Sequence, residues 1–331
     1  MEYNAIGGTA LRVSRLGLGL AALGRPGYMN LGHADDLEGA YDVEVMRSRA
    51  FKVLDAAWSA GVRYFDAARS YGRGEEFLAD WLTQRKITPA DVAVGSKWGY
   101  EYTAGWRVDA TRHEVKEHSD ERLTRQWHES RTLLGRHLDL YQIHSATLET
   151  AVLDNHAVLA RLARLRDRGT AIGLSLTGPR QADTLRRALT ISIGGGPVFA
   201  VVQATWNLLE PSAGTALSEA HAAGRGVIIK EALANGRLTS RNQAPESAAA
   251  LERLAVQARR LDCSLDALAL AAVLARPWAD VVLSGVATEA HLQSNLATLS
   301  VPWDDEVETA LSALAEKPER YWETRAALPW N

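Results

Sequence analysis

Short apolar runs rich in β-branched residues alternate along this chain with longer segments whose apolar positions recur at helical spacing. The strand-like runs are 16–20, 62–66, 92–97, 138–144, 171–175, 198–203, 227–230 and 281–284. Helix-period segments lie between them, among them 45–60, 120–135, 152–168, 181–189, 213–223, 248–260 and 291–299. Eight strands spaced by helices over this length predict an α/β fold, a (β/α)8 TIM barrel, better than an open doubly wound sheet. Residues 1–14 read as a short β-hairpin ahead of the barrel, and Leu265–Ala275 as an extra helix before the last strand. No linker or composition shift divides the chain, so residues 1–331 are expected to form a single domain.

In such barrels, chemistry collects at the C-terminal ends of the strands. Four runs end there in a reactive polar residue: Asp66, with Tyr71 just beyond it in YFDAARSYG; Lys97 in VAVGSKWG; His144 in DLYQIHS; and Ser175 in IGLSLTG. Taken singly, each is more simply a solvated loop residue; converging on one mouth, they form a candidate site. A phenol titrates near pH 10 and is a slow proton carrier at neutral pH unless a cation supports its phenolate. Lys97 would be that cation, Asp66 would keep Lys97 charged, and a neutral His144 would orient the reacting oxygen. The set suits proton exchange with a carbonyl or alcohol oxygen.

Composition narrows the class of protein. With 47% hydrophobic residues in 331, the chain can bury a large core. The net charge of −3, without a basic stripe, gives no footprint for nucleic acid. Cys263 is the only cysteine, which excludes an internal disulfide framework and suits a reducing compartment. No window approaches the roughly 18 uninterrupted apolar residues of a membrane span, and the N-terminus lacks a signal-peptide core. A cytoplasmic protein is therefore expected.

The combination VRYFDAARSYG, GSKWG and DLYQIH, with LRVSRLGLGLAALG before it and LQSNL after it, resembles the aldo-keto reductases over nearly the whole length. The resemblance implies a catalytic tetrad of Asp66, Tyr71, Lys97 and His144, and a nicotinamide cofactor bound across the barrel mouth without a Rossmann domain. It also implies cofactor contacts at Gly19, Asp66, Ser175, Gln203, Lys230, Leu233, Gly285, Thr288 and Asn295. Ser175 and Gln203 match the family's holders of the nicotinamide carboxamide, but Leu176 replaces the Asn that usually follows the Ser. Lys230, in IIKEALANG, stands where the family places an aromatic that stacks on the nicotinamide. NADP(H) is the family's usual cofactor. Gly285 and His291 replace the basic residues that clamp its 2′-phosphate, which pulls the expectation toward NAD(H) or weak discrimination. No metal is implied.

Several motifs point elsewhere and are set aside. GLGLAA at 17–22 matches a dinucleotide fingerprint, but Pro26 and Gly27 follow where a helix should open, so a glycine-containing strand is expected. On a helix the two histidines of HEVKEH, 113–118, stand about 140° apart and cannot share a metal, which leaves a solvated helix face. GLSLTG misses the nucleophile elbow by one residue, and Gly194–Gly196 suggests a flexible connection.

Two other functions fit the barrel. Lys97 or Lys230 could serve a Schiff-base aldolase, and a non-enzymatic or redox-sensing binding subunit can share this fold, as potassium-channel β subunits do. The expected partner is a small carbonyl or alcohol. Trp98, Trp106 and Trp206 are candidate walls of its pocket, with packing of the loops as the simpler alternative.

Overall fold

The computed structural model describes residues 1–331. Eight parallel strands close into a barrel in the order β3 (Leu16–Gly19), β4 (Tyr64–Asp66), β5 (Ala93–Trp98), β8 (Leu138–Ala146), β9 (Ala171–Leu176), β12 (Val201–Thr205), β13 (Gly226–Lys230) and β14 (Val281–Gly285), which returns to β3. The other strands form three antiparallel pairs. These are β1 (Tyr3–Ala5) with β2 (Arg12–Ser14), β6 (Tyr100–Tyr102) with β7 (Glu114–Lys116), and β10 (Ser192–Ile193) with β11 (Gly196–Pro197). All eight runs expected to form the barrel do so. The one at 198–203 begins pairing three residues late, because Val198 and Phe199 pack into the core before β12 starts.

Parallel strands covered on both faces read as continuous apolar runs, which is why the barrel was legible. The outer layer joins sheet to helices in a cluster of 58 buried residues, including Phe65, Trp81, Tyr141 and Val282. A smaller cluster fills the closed end, where Ile6 and Val13 of the hairpin pack with Tyr64, Leu140, Val201 and Ile228. Each large side chain buried in these layers contributes about 1.5–3 kcal/mol. Helices 43–59 and 120–134 start where Asp42 and Ser119 accept hydrogen bonds from the freed amides of the first turn.

Two expectations fail outside the barrel. HEVKEH does not form a helix: Glu114–Lys116 pairs with Tyr100–Tyr102 as β7, and His118, in the loop that follows, packs edge-on against Trp98. Gly194 and Gly195 form the tip of the β10–β11 hairpin, and Gly196 pairs with Ile193, rather than making a loose connection.

Gly24 fixes how the loop after β3 meets the segment carrying Tyr71. A Cβ there would lie 2.2 Å from the Tyr71 carbonyl oxygen and 2.6 Å from the Gly74 Cα, with backbone on both sides and nothing able to yield. Gly24→Ala is expected to lower stability by about 1–3 kcal/mol and to depress turnover by displacing Tyr71. Urea unfolding and steady-state kinetics check both effects, and a variant that keeps wild-type values in both refutes the packing argument.

Candidate active site

The site is built by strand parity. Tyr64 and Asp66, Gly95 and Lys97, Gln142 and His144, and Gln203 and Thr205 each share one face of their strand. The pairing of Asp66 with Gly95, and of Lys97 with Gln142, brings them to one level of the barrel. Lys97 and Asp66 form a fully buried ion pair. The ammonium also donates to the Ala67 carbonyl at 3.0 Å and to the Tyr71 hydroxyl at 3.2 Å. The second carboxylate oxygen of Asp66 accepts from Tyr64 at 3.2 Å, Gln142 at 3.3 Å and Gln203 at 3.0 Å. Gly95 leaves room for this network, since a Cβ there would sit 2.4 Å from the Tyr64 hydroxyl.

Burial, reinforced by the Asp66 charge, raises the Tyr71 phenol well above its usual value. Burial, reinforced by the charges of Lys97 and Lys230, drives His144 far below the usual imidazole range, so its ring is neutral. The two rings meet edge to face at 5.6 Å, and His144 Nδ1 is buried without a partner. The His118 ring meets the His144 carbonyl at 2.9 Å, and the Ser175 hydroxyl accepts from the Ser145 N–H at 2.8 Å. These contacts hold the kinked end of β8, where Ser145 takes a left-handed φ of 57°.

Asp66, Tyr71 and His144 open onto a cavity of about 500 Å³ that continues past Gln203, Lys230 and Leu233 to Gly19, Gly285 and Asn295. Ser175 is buried outside its lining, and Thr288 caps helix 289–296 by accepting from the His291 N–H. The three tryptophans also lie off the cavity. Trp98 is fully buried against His118, Trp106 donates to the Tyr41 carbonyl, and Trp206 packs on Trp278. Broad indoles gain more from these packing positions than from a polar mouth.

Other lining residues were not foreseen. Arg25 and Tyr28 come from the loop after β3, and Arg241 reaches the far end, where it pairs with Asp36 and meets His291 at 2.9 Å. Arg237 and Arg276 are instead paired with Glu316 and Glu308 away from the cavity. Glu231 is clasped by Arg325 and accepts from Thr205 at 2.9 Å, while Lys230 donates to the same Thr205 hydroxyl at 2.8 Å. Burial pulls the Lys230 ammonium down to about 8 against the opposing pull of Glu231. Burial would raise Glu231, but Arg325 and Lys230 outweigh it and hold the carboxyl at about 2. Strand parity could have revealed Gln142, two residues before His144. Arg25, Arg241 and Arg325 lie on loops and a terminal helix, where no periodicity marks them.

A sequence profile described as the Aldo/keto reductase family matches residues 15–316. The chain belongs to that family. An aldo-keto reductase of Bacillus halodurans, solved in its holo form, superposes with a TM-score of 0.72 at 20% identity, covering 96% of this chain and 97% of that one. At that identity the likeness speaks for the fold alone. A pyridoxal 4-dehydrogenase of Microbacterium luteolum is 30% identical over 164 residues, 43% of each chain. An uncharacterized oxidoreductase of Bacillus subtilis is 28% identical over 154 residues, 45% of this family member and 40% of its own length. The family member thus matches less than half the length of these curated relatives. No helix is long and apolar enough to cross a membrane.

Arg325→Met would leave the Glu231 carboxylate buried beside Lys230 alone. The expected cost at neutral pH is about 3 kcal/mol, the low end for a broken buried pair, because Arg325 is 21% exposed. The folded-state carboxyl is depressed, so its stabilisation is present above the unfolded value and is lost as pH falls toward about 2. Urea unfolding should therefore show the gap between wild type and variant narrowing from about pH 4 downward. A gap that does not vary with pH contradicts this.

Proposed function

We propose that this chain is a NAD(P)H-dependent oxidoreductase that interconverts an aldehyde or ketone and its alcohol, with Tyr71 as proton donor. One observation carries the reading: a buried phenol lies 3.2 Å from an ammonium that is itself locked to a carboxylate, beside a neutral imidazole, at the wall of one cavity. The cavity's extension from this tetrad to Asn295 and Arg241 suits a long dinucleotide, and the open space where Gly285 lacks a side chain allows close approach to its backbone. Gln203 and Lys230 would hold such a cofactor near the reacting end, and Gly285, Asn295 and Arg241 at the far end. When bound, it supplies or accepts the hydride.

The protein handles the proton. His144 donates a hydrogen bond to the substrate oxygen and orients it, with no charge to compete with Lys97. The Tyr71 O–H bond breaks toward that oxygen, and the phenolate left behind faces the Lys97 ammonium. Reduction needs protonated Tyr71, which its raised pKa preserves through neutral pH. Oxidation needs the phenolate and so strengthens as pH rises. The partial likeness to a pyridoxal 4-dehydrogenase makes aromatic aldehydes the first substrates to assay.

A second reading has one observation in its favour. Lys230, lowered to about 8 at the cavity wall, could form a Schiff base with an aldehyde. It leaves Tyr71, Lys97 and His144 without roles, and borohydride trapping of a lysine adduct would support it.

Tyr71→Phe should reduce carbonyl turnover by about 10²- to 10⁴-fold while leaving the cofactor Kd nearly intact. A variant that keeps more than about a tenth of the activity removes Tyr71 as the acid. Lys97→Met should impair turnover and move the onset of alcohol oxidation to higher pH, because the phenolate loses its contact cation. An unshifted profile with normal activity contradicts that role.

The Arg241 charge is already countered by Asp36, and a 2′-phosphate must compete with that carboxylate. We therefore expect NADPH to be preferred over NADH by less than about tenfold, since an uncompensated charged contact of about 1.5–3 kcal/mol would give more. Tryptophan fluorescence quenching gives both Kd values. A preference of about a hundredfold or more would contradict the assignment.

A further inference from the structure

We propose that Arg25 is a positioning residue for the Tyr71 proton, a second cation on the cavity side that supports the phenolate, with Glu114 as its counterweight. The proposal rests on the reading of Tyr71 as the acid–base group. Lys97 is in contact with Asp66, so much of the field of that ammonium at the phenol is cancelled by the adjacent carboxylate. Arg25 approaches from a different element. Its guanidinium carbon lies 5.3 Å from the Tyr71 ring centroid, and Nη1 donates at 2.9 Å to the carbonyl of Ser70, the residue before Tyr71. The rings of Tyr28 at 5.3 Å and Trp330 at 4.7 Å fix it in place.

Arg25 is a permanent charge, because a guanidinium does not deprotonate in proteins. Its anionic partner, Glu114, is at 2.9 Å, but the two side chains are unequally exposed, 3% for Arg25 and 20% for Glu114. Solvent screens Glu114 more, and Arg25 Nε is buried without a partner, so the Arg25–Glu114 pair taken by itself leaves a positive contribution at Tyr71, set against the negative one of Asp66. The other groups facing the phenol are Asp66 and Lys97 from the barrel, His144 and Tyr100 at the mouth, and Tyr28 and Glu231 from neighbouring loops. Among the charges acting on Tyr71, Arg25 favours the phenolate, while Asp66, Glu114 and Glu231 oppose it.

Opposite-signed shifts test the assignment. Arg25→Met should raise the pH midpoint of alcohol oxidation by about one unit, Arg25→Lys should restore most of it, and Glu114→Gln should lower it. The same signs should appear in the tyrosinate ultraviolet difference titration of the protein, with Tyr71→Phe as the subtraction standard. A purely structural role for Arg25 would lower activity without moving either midpoint. If Arg25→Met does not fold, Glu114→Gln decides: a lower midpoint supports the proposal, and an unchanged or raised one overturns it. The titration needs no turnover, so it reports on Arg25 even if Tyr71→Phe proves active and the catalytic reading fails.

Discussion

The buried ion pair between Lys97 and Asp66 is the constraint around which the barrel mouth is arranged. Removing two charges from water costs several kcal/mol per ion, which their attraction offsets only when further hydrogen bonds satisfy the remaining polar sites. Here one carboxylate accepts from Lys97, Tyr64, Gln142 and Gln203, contributed by four different strands. Gly95 exists at its level because that network fills the space a side chain would need. The ammonium so held also donates to the Ala67 carbonyl and to the Tyr71 hydroxyl, the group proposed above as the proton donor.

A second charged cluster shapes the opposite wall. Glu231, in a left-handed conformation with φ 57°, ties β13 to the C-terminal helix 318–326 through Arg325. Thr205 bridges it to Lys230, so a lysine can stand at the cavity wall without an unsatisfied charge. The two walls differ in consequence: the Lys97 ammonium is buried and donates to three protein acceptors, whereas Lys230 keeps donors available to a ligand.

The barrel was legible because its strands are apolar on both faces, and the meeting of Asp66, Lys97 and His144 because they lie toward the C-terminal ends of barrel strands, with Tyr71 in the loop that follows Asp66. Where local pattern does not determine the partner, the sequence was silent or misleading. The HEVKEH segment carries charges that suit a helix surface, yet its partner across space is Tyr100–Tyr102, and a strand results. Trp98, Trp106 and Trp206 were plausible pocket walls until the core claimed them. Arg25, Arg241 and Arg325 reach the cavity through loop closure and helix docking over long sequence separations, which no short window encodes.

The central claim is that this mouth places a hydride and a proton on the same carbonyl group. The most direct test uses a reduced nicotinamide cofactor carrying deuterium at both C4 positions, supplied with an aromatic aldehyde and the intact protein. The account predicts that the deuterium appears on the carbinol carbon of the product, with a rate that falls at high pH as Tyr71 loses its proton. Product lacking that label, or no alcohol formed from any carbonyl tried with either cofactor, would contradict it.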